Sequence, residues 1–142
     1  MSKFCESTYE EAFLQLLEEN GWEYTYGEDL HRKLDETIIE DDLREYLSRK
    51  YSAESLTDEE LDAIVSNLKN TGDVSDFLTL RKVVSLYCGR GDGFTFKRYD
   101  GNDTPLVIDY IDFINPGSNI FRVVNQFTVS YKSGTKERSR RT

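Results

Sequence analysis

Residues 89–99, GRGDGFTFKRY, divide the sequence into two parts that differ in hydrophobic period. In the part before them, apolar residues recur every three or four positions, which is the period of an α-helix. From Phe94 onward, apolar residues alternate with polar ones or form short runs, which is typical of β-strands. The pattern predicts a mixed α+β fold in a single domain over residues 1–142, with a helical N-terminal half followed by a small, mainly antiparallel sheet.

The helical half contains four amphipathic stretches. We expect helices over residues 6–19, 40–51, 57–70 and 75–87, and a short strand over residues 22–26. Two pairs have the spacing of a capping box, Thr57 with Glu60 and Ser7 with Glu10. The apolar residues expected to face the core are Tyr9, Phe13, Leu16, Leu17, Leu43, Tyr46, Leu47, Leu61, Ile64, Val65, Leu68, Phe77, Leu80, Val83, Val84 and Tyr87.

The second half contains three strand signals. They cover residues 94–99, 106–114 and 120–131, with turns expected at residues 100–103 and 115–118. No helical stretch follows these strands to cover them, so the sheet is expected to have an open face or edge.

The charge is distributed unevenly along the chain. The formal net charge is −9, but residues 1–76 contain 21 acidic and 7 basic residues, whereas residues 77–142 contain 6 acidic and 11 basic residues. The acidic part would repel a phosphate backbone and the basic part could approach one. The basic residues concentrated near the end are either a solvated loop or a DNA-binding segment; they are Lys132, Lys136, Arg138, Arg140 and Arg141.

Several classes of protein are disfavoured by the sequence. It has no apolar run long enough to span a bilayer and no secretory signal at its N-terminus, so a cytoplasmic protein is expected. Cys5, Cys88 and His31 are too few for a structural zinc site, so the cysteines are expected to be reduced and no metal site is predicted. The glycines of residues 89–93 lack the lysine and hydroxyl residue of a phosphate loop and are expected to form a turn.

Three carboxylates are candidates for a functional role. Asp109 and Asp112 have an odd spacing, which on a strand would place them on opposite faces. Asp112 lies in an apolar run and is expected to cap the turn that follows or to pair with Arg122. Glu6 falls inside the apolar stripe of the first helix, unless Ser7 is the N-cap and Glu6 lies outside the helix.

The order of several motifs resembles that of type I restriction enzyme R subunits. The opening residues 5–11, CESTYEE, lead into residues 16–24, LLEENGWEY, as in that family. A second match is residues 108–116, IDYIDFINP, followed by Asn119 and by residues 123–127, VVNQF. The segments DLREYL and LTDEEL, residues 42–47 and 56–61, fit the region between. The resemblance extends over nearly the whole chain.

The resemblance implies a nuclease domain of the PD-(D/E)xK class at the start of a longer subunit that contains ATP-driven translocase domains. Such subunits act on double-stranded DNA together with methylation and specificity subunits. In these nucleases an Asp and a later acid-x-Lys motif hold Mg²⁺ and activate water against the phosphodiester. In the family these residues follow a basic stretch that corresponds to residues 138–142, so the chain is expected to be a fragment that ends before them.

For an isolated fragment of this kind, we expect no cofactor, no cleavage of DNA and no hydrolysis of ATP, whereas the full-length subunit would use Mg²⁺ and ATP. The family's early helix acid corresponds to Glu6, which becomes the candidate auxiliary catalytic acid. Gln126 corresponds to a family position with either a structural or a DNA-contacting role. No membrane partner and no small-molecule substrate are expected.

The alternative is a stand-alone acidic module that binds a protein partner through its helical face. An acidic helical half suits a basic partner or could mimic the charge of DNA. A pull-down distinguishes the two hypotheses, because a restriction-enzyme fragment should retain its own subunits or nothing, whereas an adaptor should retain an unrelated protein.

Overall fold

The computed structural model describes residues 5–70, 77–88, 94–101, 104–133 and 136–141, and within them four helices and six strands form. In chain order these are α1 (Glu6–Glu19), β1 (Glu23–Tyr26), α2 (Glu40–Lys50), α3 (Asp58–Lys69), α4 (Phe77–Cys88), β2 (Phe94–Phe96), β3 (Leu106–Ile108), β4 (Arg122–Asn125), β5 (Thr128–Ser133) and β6 (Lys136–Arg141). β1 pairs with β4 in parallel, whereas β2–β3 and β5–β6 are antiparallel pairs. The predicted mixed class, with helices first and mainly antiparallel pairing, is confirmed.

These elements fall into two compact units. One unit combines residues 1–39 with residues 121–142, and the other comprises residues 40–120. The expectation of a single domain over residues 1–142 stays a prediction. In the described part of the chain, none of the helices has the length and apolar character needed to cross a membrane.

The core of the 40–120 unit is built mainly by α2 and α3. α3 begins with the predicted capping box, in which Thr57 Oγ1 accepts a hydrogen bond from the Glu60 backbone N–H at 3.2 Å. Glu60 Oε2 in turn accepts one from the Thr57 backbone N–H at 3.1 Å. These bonds satisfy two donors that a helix N-terminus otherwise leaves unpaired. The buried apolar residues of this unit are Tyr46, Leu47, Tyr51, Leu61, Ile64, Val65, Leu68, Phe96, Ile108 and Tyr110.

Glu60 also forms the most buried ion pair described in this unit. Arg98 Nε lies 2.8 Å from Glu60 Oε1, Arg98 Nη2 lies 3.2 Å from Glu60 Oε2, and the Tyr99 backbone N–H donates to Oε1 at 3.0 Å. Glu60 is 1% exposed. The guanidinium of Arg98, together with the Tyr99 and Thr57 amides, lowers the pKa of Glu60 to about 2. The carboxylate is therefore charged and fully hydrogen-bonded in the folded state.

Two tyrosine hydroxyls bind the backbone at the end of β3. Tyr46 lies in α2, and Tyr51 lies in the turn after α2. Tyr46 donates its hydroxyl to the Asp109 carbonyl at 2.8 Å. Tyr51 donates to the Val107 carbonyl at 3.1 Å and accepts from the Asp109 backbone N–H at 2.8 Å. These hydroxyls satisfy backbone groups at the end of β3 and directly after it. The predicted strand over residues 106–114 is therefore too long, since β3 ends at Ile108.

In the unit formed by residues 1–39 and 121–142, α1 spans the predicted residues. However, the predicted apolar stripe is not the face that packs against the strands. Leu14 is buried, whereas Tyr9, Phe13 and Leu16 are 65%, 60% and 53% exposed. The side of the helix that contains Leu14 and Glu10 faces β1 and β4, and Glu10 hydrogen-bonds to Asn125 and Gln126 there. The prediction that the apolar stripe of α1 faces the core is wrong.

A similar difference occurs in α4. Phe77, Leu80 and Val84, which were predicted to face the core, are exposed. The side chains of Val83 and Tyr87 lie outside the described part of the chain, as do the glycine-rich residues 89–93.

The predicted strand over residues 120–131 is split into β4 and β5 at Gln126. Gln126 has a positive φ of 55°. This value lies in the left-handed region, which residues other than glycine rarely adopt. Gly27 lies against this break, because a Cβ at residue 27 would be only 2.3 Å from the Gln126 carbonyl oxygen. The missing side chain of Gly27 lets the two backbones approach each other closely at the end of the β1–β4 pair.

Arg32 fixes the chain on the other side of this break. Its guanidinium donates to the Lys33 and Glu36 carbonyls at 2.9 and 2.6 Å and to the Thr128 carbonyl, and it lies 3.8 Å from the centroid of the Phe127 ring. The described residues give its buried Nε no hydrogen-bond partner. This arrangement anchors the loop after β1 to the start of β5.

Candidate functional site

Polar side chains of α1 meet the carboxyl ends of β1 and β4. Because the two strands are parallel, both end at the same edge, where Tyr26 pairs in register with Asn125. The carboxyl ends of parallel strands are a common location of functional groups in mixed folds. The close approach of Gly27 and Gln126 occurs directly after this edge.

Glu10 is the acid that reaches this edge. Its Oε1 accepts a hydrogen bond from Asn125 Nδ2 at 2.8 Å and a longer one from Gln126 Nε2 at 3.3 Å. Asn125 Oδ1 accepts from the Tyr24 hydroxyl at 2.9 Å, which fixes the orientation of the amide. Two amides therefore hold one carboxylate oxygen of Glu10, and in the described part of the chain Oε2 makes no hydrogen bond.

A cavity of about 340 Å³ adjoins Glu10. Its lining includes three carboxylates and two phenols but no Lys or Arg; the residues are Ser7, Glu10, Glu11, Leu14, Gln15, Glu18, Tyr24, Tyr26 and Asn125. Carboxylate and phenol oxygens attract cationic groups and hydrogen-bond donors. The described residues nevertheless contain no group of three or more His, Cys, Asp or Glu that could hold a metal ion.

Glu6, the auxiliary acid implied by the family resemblance, lies elsewhere. It occupies the first turn of α1, with Cys5 as the N-cap residue, and its side chain is exposed. The expected capping box of Ser7 and Glu10 is absent in the described structure of α1, whose N-cap has no side-chain hydrogen bond. Glu6 is thus inside the helix but does not line the cavity. Its catalytic role stays a prediction.

Asp109 and Asp112 lie together in the 40–120 unit. Lys50 Nζ is 2.9 Å from Asp112 Oδ2 and 4.0 Å from Asp109 Oδ2. The expectation that they lie on opposite faces of a strand is wrong, because the strand ends before both. Asp112 Oδ1 accepts from the Asn115 backbone N–H at 2.8 Å and caps the turn as predicted, and this bond together with Lys50 lowers its pKa. The arrangement is structural, and Arg122 pairs instead with Glu23.

The basic residues near the end of the chain belong to the β5–β6 hairpin rather than to a loop. The backbones of Lys132, Arg138, Arg140 and Arg141 are paired in register within it, as is Lys136 opposite Ser133. Arg140 is exposed. The side chains of the other four lie outside the described part of the chain. Their predicted role in DNA binding stays a prediction.

The remaining sequence candidates do not assemble into a site. His31 is exposed in the loop after β1, as expected. Cys5 is a free, exposed thiol, and the Ser7 and Thr8 hydroxyls at 2.8 and 3.3 Å from its Sγ lower its pKa to about 7. Cys88 ends α4, and its side chain lies outside the described residues.

Sequence reasoning did not identify Glu10 as a functional candidate, since Glu10 was assigned to a capping box. Its partners Asn125 and Gln126 are more than a hundred positions away in the sequence, so no local pattern joins them. The available signal was the position of Glu10 one helical turn after Glu6, combined with the VVNQF segment.

Comparisons with known proteins identify a family. The family model of the type I restriction enzyme R protein N terminus matches residues 3–142. No curated protein and no solved structure matches the chain significantly. The family match covers nearly all residues, including both motifs that meet at the β1–β4 edge. The chain therefore belongs to the family of type I restriction enzyme R protein N-terminal regions.

Proposed function

We propose that this chain is the N-terminal nuclease region of a type I restriction enzyme R subunit, with a partial PD-(D/E)xK fold. In this proposal the full-length subunit cleaves double-stranded DNA with Mg²⁺ and ATP, in a complex with methylation and specificity subunits. The observation that carries the proposal is the family match over residues 3–142.

We propose Glu10, rather than Glu6, as the auxiliary acid of this nuclease. Its carboxylate is oriented by Asn125 and Gln126 at the carboxyl ends of two parallel strands, and one oxygen makes no hydrogen bond in the described structure. In this proposal Gln126 has a positioning role, and its left-handed backbone supports that role, since strained residues cluster at functional sites.

The described residues do not form a magnesium site by themselves, since they contain no group of three potential ligands. No Asp or Glu stands two positions before any Lys in the 142 residues, so the sequence also has no acid-x-Lys motif. In this proposal the metal chemistry therefore belongs to the full-length subunit. The contribution of the present residues is to orient one carboxylate.

We expect the purified chain neither to nick supercoiled DNA in the presence of Mg²⁺ nor to hydrolyse ATP. In the full-length subunit, assembled with its methylation and specificity subunits, Glu10→Ala should lower DNA cleavage about tenfold or more while ATP hydrolysis persists. Glu59→Ala, an exposed acid of α3, is the matched control. Metal-dependent nicking by the purified chain, or full cleavage by the Glu10→Ala complex, would contradict the proposal.

We propose that any DNA affinity of the isolated chain is weak, salt-sensitive and located in the β5–β6 hairpin. Arg140→Ala should weaken binding of a double-stranded oligonucleotide and reduce the slope of log K against log salt by about 1. Arg81→Ala, which removes an exposed charge from α4, should leave the slope unchanged. Fluorescence anisotropy over a salt series measures both, and tight binding that persists at high salt would be the opposite result.

A protein-interaction module is the second candidate, and the exposed apolar face of α1 favours it. Affinity purification of the tagged chain from cells of its source distinguishes the two. Recovery of methylation and specificity subunits supports the restriction enzyme, whereas recovery of an unrelated protein in their place supports the module.

A further inference from the structure

The exposed apolar residues of α1 form a seam of the kind that pairs with another helix. Tyr9, Phe13 and Leu16 follow one another at intervals of four and three residues, which is the spacing of the a and d positions in a coiled coil. They are 65%, 60% and 53% exposed. The seam extends over about 10 Å, or two helical turns. Contiguous apolar surface of this kind on a helix is typical of a binding site.

Within α1, the charged residues that flank the seam are acidic. Glu6 precedes Tyr9 in the same seam, Glu19 flanks Leu16, and α1 contains no Lys or Arg. The packed face of the helix contains Leu14, and Glu10 lies between that face and the seam, where it contacts Asn125 and Gln126. None of Tyr9, Phe13 and Leu16 lines the cavity beside Glu10, so a partner on the seam would not occupy the proposed nuclease site.

The charges decide which partner suits this seam. A second copy of α1 would bring acids against acids, and an anionic membrane or DNA would be repelled as well. The suitable partner is a helix with its own apolar seam and with Lys or Arg at the flanking positions. Its apolar residues would pack on the seam of α1, and its basic residues would pair with the flanking glutamates.

We propose that the Tyr9–Phe13–Leu16 seam of α1 is a docking site for a basic amphipathic helix of a partner protein. This proposal does not rest on the nuclease function. Because the seam is short, the complex is weak and its affinity is lowered by salt.

The test uses the full 142-residue chain and a fluorescent helical peptide of about 21 residues, long enough to be helical in water. The peptide carries Leu at its seam positions and Lys at its flanks, and a second peptide has Glu in place of Lys. Anisotropy should show saturable binding of the Lys peptide only. Phe13→Ser should weaken binding about tenfold, which corresponds to a truncated central contact.

Two matched controls distinguish binding at the seam from non-specific hydrophobic binding and from a general effect of net charge. Leu80→Ser removes a leucine of similar exposure from α4, and Glu59→Lys makes the same charge change in α3 as Glu19→Lys makes in α1. Neither control should change the affinity more than about twofold. The combined variant Glu6→Lys with Glu19→Lys should instead reverse the preference and bind the Glu peptide.

Three results would overturn the proposal. The first is equal binding of the Lys peptide by wild type and Phe13→Ser, and the second is equal binding of the Lys and Glu peptides. The third is protection of Phe13 from hydroxyl-radical labelling in the free chain, which would mean that the seam is already covered. Sedimentation at several protein concentrations then shows whether the chain is monomeric, with its own residues covering the seam, or dimeric, with a second copy covering it.

Discussion

Gly27→Ala is expected to destabilise the unit formed by residues 1–39 and 121–142 by about 3 kcal/mol. The added Cβ would lie 2.3 Å from the Gln126 carbonyl oxygen and 2.8 Å from the Asn125 carbonyl oxygen. Both neighbours are backbone atoms at the end of the β1–β4 pair, so the clash cannot be relieved by rotating a side chain. Hydrogen–deuterium exchange of the amides in β4, combined with urea unfolding, measures the loss.

Gly117→Ala is the matched control for this substitution. A Cβ at residue 117 meets no atom within 4 Å, and its φ is not in the left-handed region, so a change within about 0.5 kcal/mol is expected. If Gly27→Ala and Gly117→Ala unfold at the same urea concentration, the close approach of Gly27 to Gln126 is not essential. The same variant should also weaken the contact between Gln126 and Glu10, because the clash displaces the Gln126 backbone.

Glu60→Ala is expected to destabilise the 40–120 unit by about 3 kcal/mol, the range for removing one member of a buried, hydrogen-bonded ion pair. The substitution removes two bonds to Arg98, one to the Tyr99 amide and the reciprocal half of the Thr57 capping box. Urea unfolding followed by circular dichroism measures the change. Glu59→Ala in the same turn, where the side chain is exposed, should change stability by less than about 0.5 kcal/mol.

The same pair predicts a pH dependence with a defined sign. In the folded state the pKa of Glu60 is about 2, below the value of about 4.3 for a free glutamate. A lowered folded-state pKa stabilises the protein above the unfolded pKa, and this stabilisation is lost as the pH falls from about 4.3 towards 2. Glu60→Gln should be less stable than wild type at neutral pH and should lose less stability on acidification. Parallel pH profiles of the two proteins would exclude Glu60 as the group responsible.

The sequence predicted α3 correctly because its signals are local. Its start is defined by Thr57 and Glu60, three residues apart, and its buried face follows directly from the helical period. The same reasoning gave the extent of α1 but not its orientation. Periodicity identifies an apolar stripe but not the side on which partners lie, and here the polar side found them at Asn125 and Gln126.

Some features of the fold depend on contacts between residues that are distant in sequence, and the alternation of apolar residues along a strand does not predict such contacts. Residues 120–131 alternate well enough to predict one strand, and glutamine is not a residue that signals a turn. The break at Gln126 lies against Gly27, which is distant in sequence and directly follows a different strand. Similarly, Asp109 and Asp112 both approach Lys50 in a segment after β3 that Tyr46 and Tyr51 hydrogen-bond through Asp109.

The left-handed residue at position 126 has a consequence for the solubility of the chain. Without it, residues 122–133 would form a single strand of about 40 Å, rich in valine and aromatic residues. Long, flat strands of this composition are templates for intermolecular β-pairing and for amyloid-like assembly. The break divides the segment into two short strands with different partners, β4 with β1 and β5 with β6. We therefore expect the left-handed residue at position 126 to lower the tendency of this segment to pair with other chains.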